Sequence, residues 1–142
     1  MICEALRSEV LNTALQLPKY NLVWMSGGTV CARDPETGYV VVTPSGLPYD
    51  KLSPEDMCVT DINNQVVEGN YRPSVAQDLW LGFFRTRPDL NGLVHSHSPY
   101  ATAFSVINQP IPIITETQAD WFNQPIPVVP YQHLEDAGFY TN

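Results

Sequence analysis

Charge is scarce in this 142-residue chain. Only 15% of its residues are charged, and seven Lys+Arg stand against fifteen Asp+Glu for a net charge of −8. So few basic residues exclude a nucleic-acid binder or a lipid-surface protein, both of which collect phosphates on a basic face. A small phosphorylated substrate stays open, because a nest of backbone N–H groups holds phosphate even in an acidic protein. Long apolar runs are also lacking, and none approaches the roughly 18 residues of a membrane helix. The N-terminal Met1–Arg7 alternates charged and apolar residues and lacks the unbroken apolar segment of a signal peptide. Cysteine is limited to Cys3, Cys31 and Cys58, an odd number without a close pair. That excludes a disulfide framework and a zinc knuckle and points to a reducing cytoplasm. There is no internal repeat and no low-complexity segment. What the chain does have is 44% hydrophobic residues, enough for one packed domain over 1–142. Its 13 prolines, about twice the average share, are scattered as strand and loop punctuation.

Leu6, Val10, Leu11, Ala14 and Leu15 recur at helical spacing, with Glu4, Arg7, Ser8 and Asn12 outside, and predict an amphipathic helix over 3–16 stopped by Pro18. Ser26–Val30 reads as a turn feeding a short strand, Asp34–Gly38 as a hairpin turn, and Tyr39–Thr43 as a β-branched strand. Pro44–Tyr49 is a rigid turn, and Ser53 before Pro54 marks a helix start. Cys58–Asp61 and Gln65–Glu68 pair around Asn63-Asn64. Ser74, with Gln77 three residues later, predicts a capping box for a helix carrying Leu79, Trp80, Phe83 and Phe84 inward and ending before Pro88. A strand over 92–97, a helix near Pro99–Ile107, and short strands at 111–115 and 126–129 follow. Tight turns between neighbouring strands require antiparallel pairing, so the expected fold is a mixed α/β layer structure with a largely antiparallel sheet.

His95-Ser96-His97 is the sharpest chemical signal. Positions i and i+2 of a strand share a face, so both imidazoles can meet one divalent ion, for which imidazole is a usual ligand. The alternative is two polar residues on the solvent face of an edge strand. Leu93-Val94 before the pair and Ser98–Ala103 after it place it where a strand runs into a helix, a usual place for ligands.

Arg87-Pro88-Asp89-Leu90-Asn91-Gly92-Leu93-Val94-His95-Ser96-His97 resembles the metal-binding segment of the class II aldolase/adducin family, which includes L-fuculose-phosphate aldolase and L-ribulose-5-phosphate 4-epimerase. Collinear likenesses run along nearly the whole chain. Leu17–Val23 is similar to the epimerase's early segment, Thr43-Pro44-Ser45-Gly46-Leu47-Pro48-Tyr49 to an aldolase loop, and Gln118-Ala119-Asp120-Trp121-Phe122 to an epimerase segment. The resemblance implies a three-layer α/β/α fold with a largely antiparallel central sheet, a cyclic homotetramer and an active site between subunits. It implies a divalent ion, usually zinc, held by three histidines, of which His95 and His97 match two. It implies retro-aldol cleavage of a sugar phosphate, with the ion stabilising the enediolate as a Lewis acid. Asp120 maps onto the epimerase's acid/base carboxylate; the other reading of Asp120 is a helix cap before Trp121. The family's three phosphate loops map onto Gly28-Thr29, Ser45-Gly46 and Ser74-Val75. Glycines there let the backbone approach, and hydroxyls and N–H groups donate; each pair taken singly is also an ordinary turn.

The chain departs from the family pattern in four ways. Thr29 stands where the family has Asn. Val75 replaces a second serine and removes a hydroxyl. Ala76, nineteen positions before His95, replaces the acidic residue that acts as proton-transfer base, a role that contributes roughly 10²–10⁴-fold in rate. Asp78, two positions further along a helix, points about 200° away and does not replace it. Finally, the resemblance implies that a C-terminal third, with the third ligand histidine, is absent from the chain. His133 is the only other histidine and a candidate substitute, though an exposed surface residue is the plainer reading. Two imidazoles alone make a weak zinc site. The expectation is therefore an aldolase-like enzyme, impaired or altered. The alternatives are an epimerase sharing the same first bond cleavage, a non-catalytic adducin-like scaffold, and a fragment without activity. Thr43 and the Leu47-Pro48-Tyr49 loop favour the aldolase; Asp120 favours the epimerase.

Overall fold

The computed structural model describes residues 1–131. Its elements run α1 (Glu4–Lys19), β1 (Thr29–Arg33), β2 (Val40–Val42), β3 (Cys58–Thr60), β4 (Val66–Glu68), α2 (Gln77–Thr86), β5 (Gly92–His95), α3 (Pro99–Val106) and α4 (Glu116–Trp121). The strands form one sheet in the order β4-β3-β2-β1-β5, and every neighbouring pair is antiparallel.

Both faces of the central strands β2 and β3, and of the start of β1, are covered, which is why they read as apolar runs rather than as strict alternation. Val30, Val41 and Val59 pack with Val10, Leu11, Ala14 and Leu17 of α1, together with Tyr49 and Met57. The intervening Cys31, Val40, Val42 and Cys58 pack with Trp80, Leu81 and Phe84 of α2. Period-2 side-chain alternation thus feeds two separate cores, and the three layers are α1, sheet and α2.

Several local expectations are revised. The first helix is not stopped by Pro18 but runs on to Lys19, because a proline in the last turn forfeits only one intrahelical bond. Asn21, with φ 55, then turns the chain out, and the Leu22 amide donates to the Leu17 carbonyl. Arg7 is not on the outer face: it is 1% exposed. Its guanidinium donates to the carbonyls of Ile2, Glu55 and Met57 and to Glu68 Oε1 at 2.8 Å, tying α1 to the far edge of the sheet. Ser53 and Asp56 form a capping box, but on a single 3-10 turn over Pro54–Asp56.

Ser74 and Gln77 do not form the expected capping box. Gln77 is buried and its amide donates to Thr60 Oγ1 at 3.0 Å, so it secures α2 to the sheet instead of reaching back to the cap. Phe83 is 44% exposed rather than inward. The 92–97 strand ends at His95, although the His97 amide still donates to the Leu22 carbonyl at 2.8 Å. The strands expected at 111–115 and 126–129 reduce to one bridge between Ile111 and Ile126, with α4 between them. No residue between Ser98 and Tyr131 is buried. No helix among the described residues is long and apolar enough to cross a membrane.

Candidate functional site

At the end of the sheet where β1 begins and β5 finishes, Thr29 pairs with His95. Three loops meet there: 26–29 entering β1, 44–46 leaving β2, and 74–76 entering α2. Pro44 bridges Pro73, and the Ser45 amide donates to the Arg72 carbonyl at 2.9 Å, so the second and third loops are fastened together. With Trp80, His95 and His97 these loops line one cleft of about 340 Å³.

Gly28 must be glycine. A Cβ there would stand 2.7 Å from Val23 Cγ1 and 3.0 Å from both the His95 carbonyl oxygen and Leu17 Cδ1. The first loop therefore packs directly onto the strand that carries the histidines. Gly46 adopts φ +75 with open space around it, and its role is to turn the chain.

The two histidines converge. Their Nε2 atoms are 2.9 Å apart, and the rings meet edge to face with centroids at 4.8 Å. Burial, and secondarily the charge of His97, hold the His95 imidazole below its ordinary pKa range, which favours the neutral form a metal requires. Two nitrogens on one tetrahedral zinc stand about 3.3 Å apart, so the pair fits two coordination positions once the rings part by about 0.4 Å. Among the described residues, no group of three His, Cys, Asp or Glu could hold a metal ion. His133 lies outside the described residues. Two imidazoles alone do not complete such a site.

Thr29 and Ser74 join across the cleft, with their hydroxyl oxygens 3.1 Å apart. Ser74 Oγ also accepts from the Trp80 indole N–H at 3.2 Å and from the Ala76 amide at 3.4 Å. The Trp80 ring lies 5.0 Å from that of His95, tilted by 32°. Periodicity alone marks Trp80 as an inward residue of α2. Nothing in the sequence separates a core tryptophan from one whose edge reaches a cleft, and so this residue was missed as part of the site. Among the described residues no Lys or Arg lines the cleft, and an anion there would meet hydroxyls, backbone amides and imidazoles.

The structure thus brings together Gly28, Thr29, Ser45, Gly46, Ser74, His95 and His97. It does not bring Asp120 to them: Asp120 is exposed near the end of α4. Nor does Asp120 cap that helix, because Thr115 does so by accepting from the Gln118 amide at 3.2 Å. Val75 and Ala76 both line the cleft, so its wall is apolar there. Asp78 is turned away and accepts from the Asn64 side chain at 3.0 Å.

Residues 8–139 match the sequence model of the family described as Class II Aldolase and Adducin N-terminal domain. An L-fuculose 1-phosphate aldolase is similar in structure with TM-score 0.75 and 30% identity, covering 80% of this chain and 53% of that one. YgbL of Escherichia coli gives TM-score 0.81 at 24% identity, covering 96% and 67%. The L-fuculose-1-phosphate aldolase of Thermus thermophilus gives 0.77 at 22%, covering 96% and 69%. The latter two likenesses concern the fold. The chain spans about half the length of the first aldolase it matches.

Proposed function

The chain belongs to the Class II Aldolase and Adducin N-terminal domain family, and on that footing we propose that it takes part in metal-dependent cleavage of a carbon–carbon bond in a sugar phosphate. The observation that carries this reading is the single cleft shared by the three loops, His95 and His97. His95 and His97 hold a divalent ion, zinc by preference, and a third ligand comes from outside the described residues. Such an ion supplies Lewis-acid charge stabilisation at the reacting oxygens. The hydroxyls of Thr29, Ser45 and Ser74, with the backbone at Gly28 and Gly46, receive the phosphate. Trp80, packed beside His95, forms one wall. Ala76 offers no proton-transfer group, which makes the activity weak. Asp120, exposed on α4, serves the cleft of a neighbouring copy in a cytoplasmic homo-oligomer.

The test is product analysis. The zinc-loaded chain is incubated with L-fuculose 1-phosphate and with L-ribulose 5-phosphate. Appearance of a triose phosphate and an aldehyde supports the aldolase, and epimer formation without free fragments supports the epimerase reading that Asp120 favours. Ala76→Glu should raise the cleavage rate at least tenfold, below even the lower end of a general-base contribution of roughly 10²–10⁴.

A second reading, a non-catalytic adducin-like scaffold, is favoured by Ala76 and Val75 lining the cleft where the family has an acidic residue and a serine. It is distinguished by the absence of turnover on either substrate in both the native chain and the Ala76→Glu variant.

A further inference from the structure

Trp80 is 6% exposed, whereas Trp24 and Trp121 are 79% and 81% exposed. A buried indole N–H requires an acceptor, and here the acceptor is Ser74 Oγ at 3.2 Å. The same oxygen accepts from the Ala76 amide at 3.4 Å. A serine hydroxyl has two lone pairs and one hydrogen, so with two N–H donors aimed at it Ser74 has only its hydrogen left to offer. The 3.1 Å contact with Thr29 Oγ1 then resolves as Ser74 donating to Thr29. Thr29 in turn has its own hydrogen free, directed away from Ser74.

We propose that Trp80 is a positioning residue of the cleft: its indole N–H fixes Ser74 as a hydrogen-bond donor to Thr29, so that the one hydroxyl hydrogen left free, that of Thr29, is offered to an acceptor oxygen of a phosphate group. This rests on the sugar-phosphate reading and adds to it the residue that orients the Thr29 donor. The argument is one of valence. Ser74 spends its hydrogen on Thr29, so the hydrogen that the pair can offer to a ligand is that of Thr29. A phosphate oxygen only accepts, and among the described residues no lysine or arginine lines the cleft to attract it instead. The face of the same indole lies on His95, so the residue that orients the Thr29 donor also walls the histidine pair.

The test compares inorganic phosphate binding by isothermal titration in the full chain, in Trp80→Phe, in Ser74→Ala and in the double variant. Trp80→Phe retains an aromatic ring against His95 and deletes only the donor. Each single variant should bind phosphate about fivefold more weakly, the equivalent of one net hydrogen bond. The double variant should be no weaker than Ser74→Ala, with zinc uptake unchanged throughout. A merely structural role for Trp80 gives additive losses instead. Should Trp80→Phe fail to fold, the indole N–H resonance of Trp80 gives the answer. It should be protected from exchange and shift on adding phosphate in the native chain, and lose both properties in Ser74→Ala. Native-strength phosphate binding by Trp80→Phe, additive losses, or an indole resonance indifferent to Ser74→Ala overturns the role of Trp80 while leaving the anion site standing. If the native chain takes up no phosphate at all, the anion site itself falls and the role of Trp80 with it.

Discussion

Gly28 sits so close to His95 that even a methyl group does not fit between the first loop and the backbone of β5: the added carbon would stand 3.0 Å from the His95 carbonyl oxygen. A carbonyl in a ladder strand cannot move aside as a side chain can. Gly28→Ala should therefore destabilise the fold by about 1–3 kcal/mol, the usual range for overpacking, and weaken zinc binding through displacement of His95. Urea denaturation and zinc titration of the variant check both effects.

Arg7 and Glu68 join α1 to the outermost strand β4 through a 2.8 Å ion pair, with Arg7 1% exposed and Glu68 36% exposed. Removing the carboxylate leaves the guanidinium buried with only carbonyls as partners. Loss of one member of a buried pair costs about 3–5 kcal/mol. Partial solvation of Glu68 places Glu68→Ala nearer about 2 kcal/mol. Arg7→Ala should cost more, because three carbonyls lose a donor as well. Chemical denaturation of the two variants gives the ordering.

Burial and the neighbouring His97 lower the pKa of His95 in the folded chain. The unfolded chain takes up a proton on this residue near about pH 6.5, while the folded chain resists it until the pH is lower. Unfolded protein thus binds more protons in this window, and stability falls as pH drops through it. His95→Gln should flatten the dependence between about pH 7.5 and 5.5, a unit either side of the unfolded value, as measured by unfolding free energy at each pH. A slope as steep as that of the native chain would place the responsible proton elsewhere.

Much of the fold is legible in the sequence because its strands are short and strongly β-branched and its turns are marked by proline, glycine and asparagine. What could not be read was decided by tertiary contact. Arg7 has the composition of a surface residue and is buried because three carbonyls and Glu68 converge on it. Gln77 has the right spacing from Ser74 for a capping box, yet Thr60 outcompetes the cap for its amide. Pro18 reads as a helix stop, but its position in the last turn makes its missing N–H a small loss.

The candidate site divides in the same way. The convergence of His95 and His97 was legible from their i, i+2 spacing, although β5 itself ends at His95. The three loops were legible through collinear motifs. Trp80 was not, because its role depends on which edge of the ring meets Ser74. Asp120 shows the converse: a motif match on a helix that the structure keeps outside the cleft of its own chain.

Zinc content of the native chain and of the His95→Ala/His97→Ala double variant, measured by elemental mass spectrometry after equilibrium dialysis, decides whether the histidine pair is a ligand set. The account predicts close to one zinc ion per native chain and none in the double variant, with the thermal unfolding transition of the two metal-free proteins nearly unchanged. Equal zinc content in the two proteins, or none in the native chain, would contradict it.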